Sequence, residues 1–306
     1  MDVPEKLAKE LIRVGDKYAD DLVGQRIAMA YPIIFYYLEN PWYVERACVH
    51  KKPDPFMLNE LNEESENRWV YQDRLVSLAD ALFQLRDCQN FDVLCERFQD
   101  RETKPCFTVA TVAKSFSKEG FEVEIVRESG VKGKDFDFLA RKDSLEVSVE
   151  VTAKDAPELT VATIRNTLDK KRRQVPADRP AILYMIIPEE WTENGAEAER
   201  IFSEAMESYF RNSETFNAVC VVWYAKIKLG EGRIFALTYH PFEHPSPRHP
   251  IEDLSFLRPD NPIGDLNSLR NRVKTDSEGL KRELDEGHGG TPPSFFEWYA
   301  SAKHGS

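Results

Sequence analysis

The chain has 306 residues, of which 41 are Lys or Arg and 53 are Asp or Glu, so its formal net charge is −12. This length is enough for one large domain or two smaller ones, each with a buried core. The net charge excludes a uniformly basic protein, so any contact with a polyanion has to be made by a local basic strip. The five cysteines are scattered, which argues against a disulfide framework or a zinc knuckle.

Two features of the N-terminal third bear on targeting. The first stretch, Met1 to Ile12, alternates charged and apolar side chains and has no apolar core of the kind found in signal peptides. The longest apolar run, Ile27 to Leu38, is interrupted by Pro32 and is shorter than the ~20 residues that a membrane-spanning helix needs. We therefore expect a cytoplasmic protein that makes no contact with a membrane.

Residues 1–104 show the periodicity of helices. Leu7, Leu11 and Val14 recur at helical spacing, and the same spacing returns in the run from Leu75 to Leu85. The segment 51–67, rich in acids and proline, reads as an exposed connection between helices. The aromatic residues between Ile33 and Tyr43 either pack inside a helix bundle or form a patch for a protein partner. The pattern predicts an α-helical N-terminal region.

After Pro105 the pattern changes to an alternation of helices and strands. Short alternating or continuous apolar runs predict strands, and longer amphipathic runs predict helices. The predicted elements are a helix at 107–118, strands at 121–126, 135–140 and 145–152, a helix at 159–175, a strand at 181–187, a helix at 196–210, and strands at 218–227 and 233–239. This order predicts an α/β domain over residues 105–242, with a mixed sheet flanked by helices.

Residues 243–306 read as an irregular extension because prolines recur through their first twenty positions. One further helix is predicted at Leu266 to Leu284. Near the end, Phe295, Phe296 and Trp298 are too apolar to stay in solvent, so we expect them to dock. His240, His244 and His249 lie at the start of this region without the spacing of a zinc site.

Acidic residues fall on two consecutive predicted strands. In the run from Leu145 to Thr152 apolar and polar residues alternate, which puts Glu150 on the polar face. In the preceding strand the same alternation puts Asp135 and Asp137 on one face. If the two faces coincide, the carboxylates can share a hard divalent cation such as Mg²⁺, which activates water and offsets phosphate charge in phosphodiester hydrolysis.

The segment from Gly120 to Trp191 resembles the PD-(D/E)XK, or restriction-endonuclease-like, nuclease superfamily. The resemblance rests on GKDFDFLARKD, on LEVSVEVTAKD, on a helix ending in RRQVP, and on the buried strand PAILYMIIP. In that superfamily a helix precedes a three-stranded antiparallel meander, which carries an acid and an E-x-K tripeptide and is followed by a crossover helix and another strand. The resemblance therefore implies a metal-dependent nuclease that uses Mg²⁺ or Mn²⁺ and binds nucleic acid.

The resemblance assigns roles to individual residues. Asp137 matches the metal-binding aspartate and Glu150 the second acid, with Asp135 as an auxiliary metal ligand or a turn residue. The lysine of E-x-K is replaced by Thr152, and the nearest lysine, Lys154, lies two residues further on, ~6.6 Å along a strand. Thr152 and Lys154 are therefore the predicted catalytic partners of the two acids. The superfamily's glutamate on the first helix has no counterpart at its expected place.

The same part of the chain contains its locally basic stretch. The predicted nucleic-acid-binding residues are Lys132, Lys134, Arg165, Lys171 and Arg172. Their charge would contact phosphates and carry no base information. The alternative is a solvated helix face, because runs of charged residues on helices usually face solvent. For the protein as a whole, the alternative is a catalytically inactive nuclease-fold module that acts as a binding or scaffold protein, which the substitution of Thr152 for the motif lysine favours.

Overall fold

The structure, a computed structural model, describes residues 3–47, 56, 67–154, 158–192, 195–229, 232–257 and 293–304. The chain divides into two units, which we call the helical unit (Met1–Ser117 with Thr291–Ser306) and the sheet unit (Lys118–Gly290). The predicted boundary at residue 104 falls in the first turn of a helix, Thr103–Lys118, whose residues up to Ser117 belong to the helical unit. The predicted extension, 243–306, is divided between the two units.

The helical unit is built from amphipathic helices. Leu7 and Leu11, and later Leu75 and Leu82, are buried, so the predicted helical periodicity is confirmed. The second helix begins after Asp21, whose Oδ1 accepts a hydrogen bond from the Gly24 N–H at 2.9 Å. The helices are α1 (Glu5–Lys17), α2 (Leu22–Tyr37), α3 (Glu39–Ala47), α4 (Asn67–Leu85), α5 (Phe91–Asp100), α6 (Thr103–Lys118) and, near the end of the chain, α9 (Ser294–His304).

The buried carboxylate of Asp80 on α4 holds the start of α9. Asp80 Oδ1 accepts hydrogen bonds from both the N–H and the hydroxyl of Ser294, each at 2.6 Å. Asp80 Oδ2 pairs with the Lys114 ammonium at 3.0 Å. Phe295 is fully buried, and the rings of Phe83 and Trp298 are 6.1 Å apart, so the predicted docking of these aromatic residues is confirmed.

Replacing Asp80 by Ala is expected to lower the free energy of unfolding by about 3–5 kcal/mol, because it leaves the Lys114 ammonium buried without its partner. Urea unfolding followed by circular dichroism measures the change. Glu5→Gln, which removes an exposed ion pair with Lys9 on α1, is the control and should leave the midpoint nearly unchanged. Equal midpoints for the two variants would contradict a structural role for Asp80.

The sheet unit contains a six-stranded mixed sheet in the order β1-β2-β3-β4-β5-β6. The strands β1, β2 and β3 form an antiparallel meander, β3 to β4 and β4 to β5 are parallel, and β5 to β6 is antiparallel. The predicted mixed sheet flanked by helices is therefore confirmed. The strands are β1 (Glu122–Ile125), β2 (Phe138–Lys142), β3 (Leu145–Ala153), β4 (Ala181–Ile186), β5 (Ala218–Leu229) and β6 (Gly232–Glu243).

Two helices make the parallel connections and cover one face of this sheet. A parallel pair requires a crossover, which α7 (Val161–Lys171) provides between β3 and β4, and α8 (Gly195–Phe210) between β4 and β5. Ile164 and Leu168 of α7 and Met206 of α8 share one buried cluster with Leu183 and Met185 of β4. Every residue of β4 is buried, as its continuous apolar run predicts.

The polar face of β3 is not exposed to solvent. An alternating strand in an antiparallel sheet usually turns its polar face to solvent. Here Ser148 and Glu150 are both fully buried, because α7 covers that face and β3 lies between β2 and β4. Glu150 is only 1% exposed, so it is not an ordinary solvent-facing acid.

Asn217, directly before β5, forms hydrogen bonds with the segment that follows β6. Its Oδ1 accepts a hydrogen bond from the Ala181 N–H at 3.2 Å, and its Nδ2 donates one to the His249 carbonyl at 2.6 Å. Its backbone carbonyl accepts a hydrogen bond from the His244 N–H at 2.9 Å. A short 3₁₀ helix, Ser255–Leu257, follows, and the helix predicted at Leu266 to Leu284 lies outside the described residues.

Replacing Asn217 by Ala is expected to lower the free energy of unfolding by about 2–4 kcal/mol, because two backbone groups lose a hydrogen-bond partner and each such loss is worth roughly 1–3 kcal/mol when buried. Thermal and urea unfolding measure the effect. Asn212→Ala, which removes an exposed hydrogen bond to the Ser208 carbonyl, is the matched control with a much smaller expected change. A smaller loss for Asn217→Ala than for this control would contradict the assignment.

None of the helices in the described ranges is both long and apolar enough to cross a lipid bilayer.

Candidate active site

Two of the three predicted metal ligands, Asp137 and Glu150, lie on neighbouring strands, one directly before β2 and one in the middle of β3. The register pairs Phe138 with Val149. The Asp137 N–H donates to the Val149 carbonyl at 3.1 Å, and the Asp137 carbonyl accepts from the Val126 N–H at 3.0 Å. Asp137 is the residue directly before β2, and its N–H donates a hydrogen bond to the residue of β3 that precedes Glu150. The structure therefore brings Asp137 next to Glu150 across the two strands.

The carboxylate of Asp137 is oriented by the backbone of β3. Its Oδ2 accepts a hydrogen bond from the Val151 N–H at 2.9 Å. Val151 directly follows Glu150, so this bond directs the Asp137 side chain towards the strand that carries the second acid. A hydrogen bond to an ionised carboxylate is stronger than one between neutral groups, and it fixes the orientation of this half-buried side chain.

Glu150 is paired with a lysine from the crossover helix. The Lys171 ammonium donates a hydrogen bond to Glu150 Oε1, and both side chains are largely buried. On β4, Leu183 lies beside Glu150 in the parallel register. Burial of a carboxylate is unfavourable unless an opposite charge and hydrogen bonds offset the loss of water. Lys171 supplies that charge.

The position of Lys171 on α7 explains its orientation. The helix begins after Thr160, whose hydroxyl accepts a hydrogen bond from the Thr163 N–H at 3.1 Å. Ile164 and Leu168 form its buried stripe. Lys171 follows Leu168 by three positions and Ile164 by seven, so it continues the same stripe towards the sheet. This periodicity was available in the sequence, yet Lys171 was predicted among the phosphate-contacting residues of the helix.

The predicted catalytic partners Thr152 and Lys154 lie at the end of β3. Thr152 pairs with Met185 of β4, and by strand alternation it shares the face of Glu150. Lys154 lies one residue past β3, where its N–H still donates to the Ile186 carbonyl at 2.8 Å. Both side chains are partly buried.

Asp135, predicted as an auxiliary metal ligand or turn residue, closes the loop before β2. Its Oδ1 accepts hydrogen bonds from the Ser129 N–H at 2.7 Å and from the Ser129 hydroxyl at 2.9 Å. The backbone hydrogen bond from Ser129 is the main reason that the pKa of Asp135 is lowered. The arrangement is that of a turn-stabilising aspartate.

Exposed cations gather where the loop before β2 meets the end of α7. Lys132 and Lys134 are exposed and flank Gly133, whose N–H donates to the Arg173 carbonyl at 3.0 Å. Gly133 has a φ of +79°, a conformation that side-chain-bearing residues rarely adopt. Arg173 is itself exposed. We call Lys132, Lys134, Lys170 and Arg173 the basic rim.

Other basic residues of this region lie near acidic partners. Arg172 pairs with Asp169 at 3.3 Å on the same helix. Arg141 donates hydrogen bonds to Glu146 at 2.9 Å and to Glu124 at 2.7 Å. These pairs neutralise part of the local charge. Arg165, on the first half of α7, is exposed.

The donor set suits a hard cation that keeps part of its water shell. Asp137 and Glu150 supply two carboxylates, and Mg²⁺ is typically held by one or two carboxylates together with waters and phosphate oxygens. Within the described residues no group of three or more His, Cys, Asp or Glu residues could hold a metal ion. Ser148 Oγ, two residues before Glu150 on the same face, is buried and has no hydrogen-bond partner, so one polar group beside the acids is left unsatisfied.

The three histidines near the start of the C-terminal region serve other contacts. His244 Nε2 lies 2.9 Å from the Ser213 carbonyl, and His249 Nε2 lies 2.9 Å from the Ala177 carbonyl. The ring of His240 packs on Phe242, with their centroids 4.7 Å apart. These contacts are those of packing and loop anchoring.

Comparison with protein-family models, curated proteins and solved structures gives no significant match to this chain.

Proposed function

We propose that this protein is a metal-dependent nuclease with a restriction-endonuclease-like core, which hydrolyses phosphodiester bonds of nucleic acid. The observation that carries the proposal is that Asp137 binds the backbone of β3 on both sides of Glu150, since its N–H donates to the Val149 carbonyl and its Oδ2 accepts from the Val151 N–H. The strand order supports it, since an antiparallel meander is followed by a crossover helix and a parallel strand, as in the superfamily that the sequence resembles.

In this proposal Asp137 and Glu150 hold Mg²⁺ or Mn²⁺, which would polarise a phosphate oxygen and lower the pKa of a bound water. The role of the superfamily's motif lysine falls to Lys171. It supplies from α7 the positive charge that the motif lysine supplies from the strand. Its ammonium is held by Glu150, where it would stabilise the negative charge that develops on a phosphate bound beside the two acids. Thr152 and Lys154 remain the alternative catalytic partners at the end of β3.

The basic rim is the surface that would contact the phosphates of the substrate. Lys132 and Lys134 belong to the loop that leads into Asp137, and Arg173 lies two residues past Lys171. Contacts of these cations with phosphates position a nucleic acid without reading its bases. We therefore propose substrate contact that depends strongly on salt and weakly on sequence.

A second candidate function is a catalytically inactive module of the same fold that binds a partner. It is favoured by the ion pair between Lys171 and Glu150, which offsets the buried charge without a metal, and by Thr152 at the position of the motif lysine. In that case the two acids serve stability alone.

Calorimetric titration with Mg²⁺ and Mn²⁺ separates the two functions. The nuclease proposal expects one site on the wild-type protein, lost in Glu150→Gln. Glu146→Gln, a change on the same strand at a carboxylate already paired with arginines, is the control and should keep the site. No metal binding by the wild-type protein would favour the inactive module.

A further inference from the structure

A groove in the helical unit has one aromatic wall and one basic wall. It has a volume of ≈ 740 Å³ and lies between α1 and α2. On the α2 side it is lined by Tyr31, Phe35 and Tyr36, and on the α1 side its charged residues are Lys6, Glu10, Arg13 and Lys17. The sheet unit supplies none of the residues that line it.

The aromatic wall combines exposed rings with fixed orientation. Phe35 is 37% exposed and Tyr36 is 41% exposed. The Phe35 ring packs edge-on against Tyr43 at 5.3 Å between centroids and lies 6.0 Å from the Tyr31 ring. By contrast Trp42 is buried. Part of the aromatic run between Ile33 and Tyr43 therefore packs, and part of it is exposed.

The basic wall is positive on a protein that is acidic overall. Three cations and one acid line the groove, which gives it a net charge of +2, whereas the whole chain carries −12. Glu10 pairs with Arg13 at 3.0 Å, so the charge of Lys6 and Lys17 determines the sign of this wall. The Lys17 ammonium lies over the Tyr18 ring, 5.3 Å from its centroid. A ligand that fits this groove is anionic and offers flat apolar surfaces.

We propose that the groove between α1 and α2 binds single-stranded nucleic acid, with bases stacked on Phe35 and Tyr36 and phosphates facing Lys6 and Lys17. The proposal rests on the proposed function, for which it names the substrate class. Stacking on aromatic rings is open to every base once it is unpaired, and the cations follow the backbone. An acidic peptide would contact the same cations, but its apolar side chains would pack on aliphatic residues in the groove as well as on aromatic rings.

Fluorescence anisotropy of a labelled (dT)₂₀ oligonucleotide with the full chain, in EDTA so that no metal chemistry intervenes, tests the proposal. The informative variant is Phe35→Leu with Tyr36→Leu, which keeps apolar bulk but removes the ring faces. It is expected to weaken binding about tenfold or more. Val23→Leu on the same helix, at an exposed apolar residue that does not line the groove, is the control and should bind as the wild type does.

Charge is tested separately. Lys6→Gln with Lys17→Gln is expected to reduce the dependence of log affinity on log salt by roughly 0.7 per lysine, the value for single strands. Lys9→Gln, on the same helix but outside the groove, should leave the slope unchanged. Unfolding midpoints equal to the wild type show that each variant is folded.

Three outcomes would overturn the proposal. The first is no binding of (dT)₂₀ by the wild type, and the second is equal affinity of the leucine variant and the wild type. The third is that excess unlabelled (dT)₂₀ fails to displace the labelled oligonucleotide from both proteins. If an acidic Leu-Glu peptide binds more tightly than (dT)₂₀, and binds the leucine variant as tightly as the wild type, the groove would be assigned to a protein partner instead. The binding assay contains EDTA and the cleavage assay contains Mg²⁺, so the groove can be verified even if no cleavage is found, and cleavage can be verified even if the groove fails.

Discussion

Under the proposed nuclease function, replacing Asp137 by Asn is expected to lower the rate of nucleic-acid cleavage in Mg²⁺ by about 10³-fold, since a metal ligand supplies several kcal/mol of transition-state stabilisation. The asparagine oxygen can still accept the hydrogen bond from the Val151 N–H, so the strand pairing is retained while the charge is lost. Initial rates on mixed DNA and RNA substrates, with Mg²⁺ or Mn²⁺, measure the effect. Glu150→Gln is expected to act in the same direction.

The control for this prediction is Asp135→Asn, at an acid two residues earlier in the same loop. Its side chain accepts hydrogen bonds from Ser129, which an asparagine oxygen can also accept, so most of the wild-type rate should remain. If both aspartate variants lost activity equally, Asp135 would have to be counted with the ligands. If neither did, Asp137 would have no part in catalysis.

Replacing Lys171 by Met is expected to lower the free energy of unfolding by about 3–5 kcal/mol, because Glu150 then remains buried without its cation. Methionine keeps the length of the apolar stem, which separates the loss of charge from the loss of packing. Urea unfolding followed by circular dichroism gives the free energy.

Two further variants make this measurement specific. Lys170→Met, one position earlier on the exposed face of α7, should change the stability little. The double variant Lys171→Met with Glu150→Gln should recover much of the loss, since no unpaired charge stays buried. A double variant as unstable as Lys171→Met alone would show that packing, and not the ion pair, accounts for the effect.

The fold was predictable because periodicity differs between its elements. The continuous apolar run of β4 and the alternation in β3 predicted strands, and Lys142-Asp143-Ser144 predicted the turn between β2 and β3, where Lys142 pairs with Leu145. The helical spacing of leucines predicted α1 and α4. The predicted helix starting at residue 107 in fact begins at Thr103, because Pro105 is accommodated in the first turn of α6 and does not precede the helix.

The site was harder to predict than the fold. Strand alternation alone placed Asp137 and Glu150 on faces that could coincide, but the register that brings Asp137 next to Glu150 depends on the turn at Asp143 and Ser144. The burial of Glu150 depends on α7, which lies later in the chain and covers its face. Lys154 was predicted as the catalytic lysine because it is nearest to Glu150 in the sequence. The contact of Lys171 with Glu150 is a tertiary contact, which the sequence pattern does not show.

The anchoring of α9 by Asp80 affects the order in which the protein can be assembled on the ribosome. Translation delivers Ser294 only after all of the segment from Lys118 to Gly290 has been made. Until then the Asp80 carboxylate lacks the two hydrogen bonds from Ser294. The helical unit can therefore be completed only after the sheet unit that interrupts it in the chain has been synthesised.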